Sequence, residues 1–284
     1  MDQHVRPWRS VLYIPGSKER ALDKATGLPA DAIIFDLEDA VTPEEKPRAR
    51  ELLAQTLRTA DYGGRARIVR INGLDSPWGR EDVAAMGGVP LEALLIPKVN
   101  SAADVQAVAE LVPGVDLWAM METPLGMLNA AAIAAHPRLT GMVMGTNDLA
   151  KDLGTRFRAD RLPMITGLGL CLLAARAHGV TIVDGVYNAF KDAEGLRAEC
   201  SQGRDMGFDG KTLIHPDQLA VANEVFAPSD AEIDLARRQI AAFDAAQAAG
   251  QGVAVVDGKI VENLHIVTAQ ATLAKAAAIA AMAG

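Results

Sequence analysis

Short apolar runs alternate with amphipathic, helix-like stretches along most of the chain. Ser10–Pro15, Ala32–Asp39, Arg65–Asn72, Leu94–Val99, Leu117–Thr123, Leu139–Thr146, Thr181–Tyr187 and Phe208–Ile214 read as strands. Short, nearly continuous apolar runs of this kind suit strands buried on both faces of a parallel sheet. Between them, Ser17–Thr26 reads as a helix capped by Ser17, and Thr42–Thr59 as one opened by a Thr42/Glu45 capping box. Further helices are expected from Ser101 to Leu111, from near Pro163 and from near Pro216. Eight such beats predict an α/β fold, a (β/α)8 TIM barrel. A doubly wound sheet is the runner-up, but no GxGxxG follows any strand and there is no Walker sequence. Asn147–Leu162 is expected to be a long, functional loop after the sixth strand. Past Phe226 the pattern changes to a helix (Ser229–Ala249), a strand–turn–strand (Gln251–Val261) on Asp257-Gly258, and a second helix (Glu262–Met282). The expected organisation is a catalytic barrel over residues 1–227 and a C-terminal lid or oligomerisation extension over residues 228–284.

Bulk properties narrow the function. The 284 residues are 50% hydrophobic, enough for one large core. A net charge of −8 without a basic run argues against nucleic acid as a partner. Cys171 and Cys200 form no zinc-like pattern and read as reduced core thiols. The N-terminal stretch lacks an apolar signal region, and no uninterrupted apolar run is long enough to cross a bilayer. The Ala-rich stretch Thr268–Gly284, broken by Gln270 and Lys275, reads as a packed helix. A cytoplasmic protein that does not contact membrane is the expectation.

Candidate chemistry gathers at strand ends. The fifth run ends in Glu122 and the sixth in Asp148. On neighbouring parallel strands these carboxylates would repel, and a divalent cation such as Mg²⁺ would relieve the repulsion. A simpler account makes both of them helix N-terminal acids, and the pair alone does not choose. Other polar residues end other strands: Asp36, Glu38 and Asp39, then Arg70 and Asn72, then Lys98, Asn147, Asp184 and, after the eighth, His215. Asp184 also reads as a buried, paired acid, with Lys211 bridging to one of these carboxylates. In a TIM barrel the C-terminal strand ends form the active site, so their convergence points to one polar mouth.

Seven runs then acquire a common meaning. Arg9-Ser10, FDLEDAV (Phe35–Val41), VRINGLDSPWG (Val69–Gly79), the LIPKV run ending at Val99, METP (Met121–Pro124), MGTNDLAKDLG (Met144–Gly154) and LIHPDQ (Leu213–Gln218) occur in order. Together they resemble the citrate lyase β-subunit-like branch of the HpcH/HpaI aldolase superfamily, which includes malyl-CoA and citramalyl-CoA lyases and malyl-CoA thioesterases. The resemblance covers essentially the whole chain. It implies a TIM barrel, Mg²⁺ held by Glu122 and Asp148, and Arg70 as the third-strand arginine that stabilises enolate charge. Glu38 and Asp39 match the paired acids of the second-strand motif. The family's lid, donated by a neighbouring subunit, carries an acid whose position here is Glu262, with Asp257 ranked lower. Glutamate in place of the usual aspartate adds a methylene to a group that must sit within hydrogen-bond reach.

The implied substrate is a β-hydroxyacyl-CoA. Arg9, Arg20 and Lys24, with Lys18 as a further possibility, are candidates for its phosphates, the Gly145-Thr146 turn for its acyl carbonyl, and Lys98 and Asn147 are further substrate-binding candidates. The expected activity is Mg²⁺-dependent cleavage of (3S)-malyl-CoA to acetyl-CoA and glyoxylate. The alternative is hydrolysis of the same thioester to malate and CoA. A further alternative is an acyl-carrier-dependent citrate lyase β subunit. A pyruvate-type class II aldolase is the last alternative, but the early His4 does not fit its catalytic histidine. The resemblance also implies a trimer or hexamer sharing its lids.

Overall fold

The computed structural model describes residues 6–283, so His4 lies outside the described residues. Eight parallel strands close into a barrel in sequence order. They are β1 (Ser10–Pro15), β2 (Ala32–Asp36), β3 (Ala66–Arg70), β4 (Ala93–Ile96), β5 (Asp116–Met121), β6 (Leu139–Met144), β7 (Thr181–Asp184) and β8 (Gly210–Leu213). Each sits within or close to the run that predicted it, and most stop earlier, because the polar residue ending each apolar run begins the following loop. The fold is the TIM barrel expected.

The barrel interior explains why the polar residues converge. Side chains alternate between the two faces of a strand. Val11, Ala32, Ile34, Ala66, Ile68, Leu95, Trp118, Met120 and Val143 share one buried cluster inside the barrel. Continuing that parity by two residues reaches Asp36, Arg70 and Glu122, while Gly145 follows Val143. Trp118 fills one layer because Gly141 faces it: a Cβ there would lie 2.1 Å from the indole. The inward positions are thus apolar through the barrel and polar in the last layer at the C-terminal ends.

Local details depart from the sequence reading. The Thr42/Glu45 capping box does not form. Pro43 opens a 3₁₀ turn over Pro43–Glu45, and the α-helix begins at Lys46. Ser17 is not a cap either; Lys18 holds that position, and the Ser17 hydroxyl is buried without a partner. The stretch expected as a long loop after β6 contains a helix, Thr146–Asp152, with Asp148 in its first turn. The simpler account of Glu122 fails as well, since Thr123 is the cap of the next helix and accepts from the Gly126 N–H.

The described residues group into two compact units, Trp8–Glu224 and one comprising Val225 onwards with the segment before Trp8. In the C-terminal unit, helix Asp230–Ala248 starts with a Ser229/Glu232 capping box. Strands β9 (Ala254–Val256) and β10 (Lys259–Val261) pair antiparallel. Asp257 and Gly258 turn between them with φ of 50° and 75°, which suits a tight two-residue hairpin. The last helix, Asn263–Ala283, packs on helix Asp230–Ala248. Its segment Asn263–Met282 is long and apolar enough, by length and composition, to cross a membrane, and only 11% of that window is buried. The helix is packed, as the sequence reading expected; only the count of uninterrupted apolar residues overlooked its length and mean hydropathy, because Gln270 and Lys275 interrupt it.

Candidate active site

Arg70 is the centre of the polar layer. Strand register places it beside Asp36. Its Nε donates to Asp36 Oδ1 at 2.8 Å and its Nη2 to Oδ2 at 2.6 Å, a two-point grip on a 7%-exposed guanidinium. Nη1 lies 2.9 Å from Glu38 Oε2 and 3.4 Å from Asp39 Oδ2. The guanidinium also sits 5.2 Å above the Tyr13 ring. Asp36 accepts backbone N–H groups of Glu38 and Ala40 as well, which ties the loop after β2 to the arginine. Burial lifts the Glu38 carboxyl above its ordinary value, against the pull of Arg70 and Lys98. The Lys98 ammonium reaches Glu38, and the Lys98 backbone N–H donates to Glu122 Oε1 at 2.8 Å from a left-handed conformation with φ of 49°.

Glu122 is 2% exposed. Burial pushes its carboxyl up to about 7, and the nearby Glu38 adds to the rise that the Lys98 N–H opposes. Gly145 stands against it: a Cβ there would come within 2.3 Å of Glu122 Cβ and 2.5 Å of Oε2. The glycine therefore makes room for the carboxylate. A cavity of about 380 Å³ opens above this layer, lined by Tyr13, Asp36, Asp39, Arg70, Met120, Glu122, Gly145, Thr146, Asn147 and Asp148 among others. Four carboxylates thus face one guanidinium that is already paired. Such a lining repels an anionic ligand unless a cation enters. Glu122 and Asp148 are hard oxygen donors of the type magnesium takes, with water completing its shell. Among the described residues no group of three or more His, Cys, Asp or Glu side chains could hold a metal, so the protein would contribute few of the ligands. Asp148 meanwhile pairs with Lys151 at 2.8 Å, a contact it would have to give up.

Other expected site residues fall elsewhere. Arg9 lies at the start of β1, the end away from the cavity, where Asp31 holds its side chain and backbone N–H. It is a structural ion pair, and the expectation that it binds CoA is corrected. Arg20 and Lys24 are exposed on helix Glu19–Ala25, and Lys18 lies 3.8 Å from Glu45. Glu38 and Lys98 line a second cavity of about 670 Å³, and Asp39 lines both cavities. Glu262 is exposed in the C-terminal unit, and Asp257 there pairs with Arg238. Asp184 and Lys211 are buried and paired at 3.2 Å. His215 stacks on Phe190 at 4.6 Å. Cys171 and Cys200 are free and buried, and burial pushes both thiols up to about 12. The sequence reading placed Asp36 at a strand end without assigning it a role, and missed Tyr13 and Met120, although the inward parity of β1 and β5 marks both.

Residues 9–216 match the family model described as HpcH/HpaI aldolase/citrate lyase. The chain belongs to this family. Within it, the chain is 76% identical over 281 residues to a (3S)-malyl-CoA thioesterase of Cereibacter sphaeroides, covering 99% of each. It is 35% identical to an L-malyl-CoA/beta-methylmalyl-CoA lyase of the same species, covering 98% of this chain and 97% of that one. A crystal structure of CitE from Mycobacterium tuberculosis in complex with magnesium, acetoacetate and coenzyme A superimposes with a TM-score of 0.80 at 33% identity, covering 94% and 97% of the two chains. These findings correct the expected carbon–carbon lyase activity. Near-full-length identity of 76% lies with a thioesterase, while the lyase is less than half as similar. The lyase alignment runs to 316 positions, more than this chain possesses, so that enzyme carries segments with no counterpart here.

Proposed function

We propose that this chain hydrolyses (3S)-malyl-CoA to malate and CoA, with Mg²⁺ as its cofactor. The 76% identity to a (3S)-malyl-CoA thioesterase over 99% of both chains carries the reading. The cavity supports it: an acidic pocket closed by one gripped guanidinium suits a small anionic acyl group only with a cation present. Glu122 and Asp148 would hold Mg²⁺, which would supply that positive charge and Lewis-acid polarisation. Glu122 gives up its proton for this role. Arg70, held in place by Asp36 and Glu38, stabilises the negative charge that grows on the thioester oxygen. Asp39, with a 61%-exposed side chain on the wall shared by the two cavities, takes a proton from the water that adds to the carbonyl carbon. Collapse then breaks the C–S bond, and the departing sulfur is protonated as free CoA. Two buried thiols pushed up to about 12 make a cysteine nucleophile unsuitable, which favours direct attack by water.

Glu262 is assigned to a second copy's active site, as the acid that returns a proton to the sulfur. Exposed apolar residues around it support a covered face: Val255 at 66%, Ile260 at 64%, Leu264 at 60% and Val267 at 60%. A trimer or hexamer is the expected assembly, and sedimentation velocity reads it directly. The deciding assay supplies (3S)-malyl-CoA and follows free thiol and glyoxylate separately. Thiol release matched by malate, without glyoxylate, lost with EDTA and restored by Mg²⁺, is the expected result. Glyoxylate formation without free thiol would overturn it.

A further inference from the structure

Behind the cavity wall lies a closed group of charges that the proposed chemistry does not use. Arg161 is 2% exposed, Asp184 and Lys211 are 0% exposed, and Glu199 lies beside them. Arg161 Nη1 donates to both Asp184 oxygens at 2.8 and 2.7 Å, and its Nε to Gln202 Oε1 at 2.7 Å. Lys211 Nζ donates to Asp184 Oδ2 at 3.2 Å, to Glu199 Oε1 at 2.7 Å and to the Gly185 carbonyl at 2.6 Å. Two cations balance two anions. Burying four charges is costly, and replacing them with apolar packing is often as stable, so their retention calls for a positional account.

The group's position supplies one. Arg161 ends the segment that begins with Thr146–Asp148, and it adopts a left-handed conformation with φ of 52°. Gln202 Nε2 donates to the neighbouring Asp160 carbonyl at 2.9 Å, a second tie at the same point. At the segment's other end, Gly185 abuts Thr146: a Cβ on Gly185 would lie 2.4 Å from Thr146 Oγ1. Asn147 and Asn188 exchange side-chain hydrogen bonds at 3.2 and 2.8 Å. The exit of β7 therefore touches both residues that precede Asp148, and the buried charges hold that exit.

We infer that the Arg161–Asp184–Lys211–Glu199 cluster positions Asp148 for the divalent cation through Gly185 and Thr146, which makes Arg161 a positioning residue for the metal site. This rests on the reading that Glu122 and Asp148 hold the cation. Partners of this outer kind change metal affinity by roughly 10- to 100-fold when removed.

The test is calorimetric titration of Mg²⁺ into the full-length protein without substrate, alongside thermal melting. Arg161→Met is expected to weaken Mg²⁺ binding about tenfold or more, and Arg161→Lys to restore part of it. Gly185→Ala leaves the charged cluster intact but pushes on Thr146, and the same weakening is expected. Arg158→Ala, which removes an exposed pair with Asp160 in the same loop, is expected to bind Mg²⁺ as the parent does. A lowered melting temperature with an unchanged Mg²⁺ dissociation constant in Arg161→Met would overturn the inference and leave a purely structural cluster. Should that variant not fold, unchanged Mg²⁺ binding by Gly185→Ala would overturn it. Asp148→Asn separates the two levels: if it binds Mg²⁺ normally, the metal assignment itself fails.

Discussion

Arg70→Lys tests whether the fork of the arginine, and not merely its charge, is needed. Arg70 presents three nitrogens to three carboxylates, with two bonds to Asp36 at 2.8 and 2.6 Å and one ion pair to Glu38 at 2.9 Å. A lysine offers one ammonium, which can keep one strong contact with Asp36 or Glu38 but not the planar two-point grip. Bonds to charged groups contribute about 1.5–3 kcal/mol each. Asp36 keeps its two backbone N–H donors and Glu38 keeps Lys98, so neither acid is left bare. A net loss of about 2 kcal/mol of stability is therefore expected. Catalysis should suffer more, because a charge that no longer points at the thioester oxygen costs about 10²–10³ in kcat. At ~1.36 kcal/mol per tenfold, that is roughly 3–4 kcal/mol of transition-state stabilisation. Urea melts give the first quantity, and thiol release from (3S)-malyl-CoA at saturating Mg²⁺ gives the second. A folded Arg70→Lys protein with undiminished kcat would refute the reasoning and reduce Arg70 to a strut between loops.

Three further outcomes follow from the same layer. Glu122 is raised from 4.5 to about 7, so between those values the folded protein holds a proton that the unfolded chain has released. This group's contribution to stability is thus present below about pH 4.5 and lost as pH rises through about 7. A cation that binds the ionised carboxylate must displace that proton, so Mg²⁺ affinity should fall as pH drops below about 7, by up to tenfold per pH unit, and calorimetry across pH 5.5–8.5 reads it. An affinity independent of pH would remove Glu122 from the metal site. Gly145→Ala, whose Cβ would meet Glu122 at 2.3 Å, should cut Mg²⁺ affinity and kcat about tenfold or more while melting within a few degrees of the parent; unchanged affinity would show that the carboxylate has slack to move.

Much of this was legible in one dimension. The eight apolar runs, most of them ending in or followed by a polar residue, determined the barrel, because parallel strands buried on both faces leave charge only at their ends. That Glu122, Asp148 and Arg70 would line one cavity was readable for that reason, and Asp257-Gly258 was readable as the hairpin turn because both positions need positive φ. Side-chain parity could also have nominated Tyr13, but without strand register the sequence does not say that Asp36 rather than Glu38 makes the two-point grip on Arg70. Arg9 illustrates the opposite error: a cation before a strand looked ligand-like, yet barrel geometry puts it at the far end, against Asp31.

Tertiary contacts decided the rest. Capping signals at Ser17 and Thr42 lost to neighbouring backbone geometry, which a pattern read along the chain does not contain. The Asp184–Lys211 pair was expected from the sequence, but its union with Arg161 and Glu199 brings together four separate segments, and no local spacing announces it. Whether the chemistry is hydrolysis or carbon–carbon cleavage was not written in any motif, since the runs that carry the family resemblance do not separate its lyases from its thioesterases. That choice came from the 76% identity to a (3S)-malyl-CoA thioesterase over 99% of both chains.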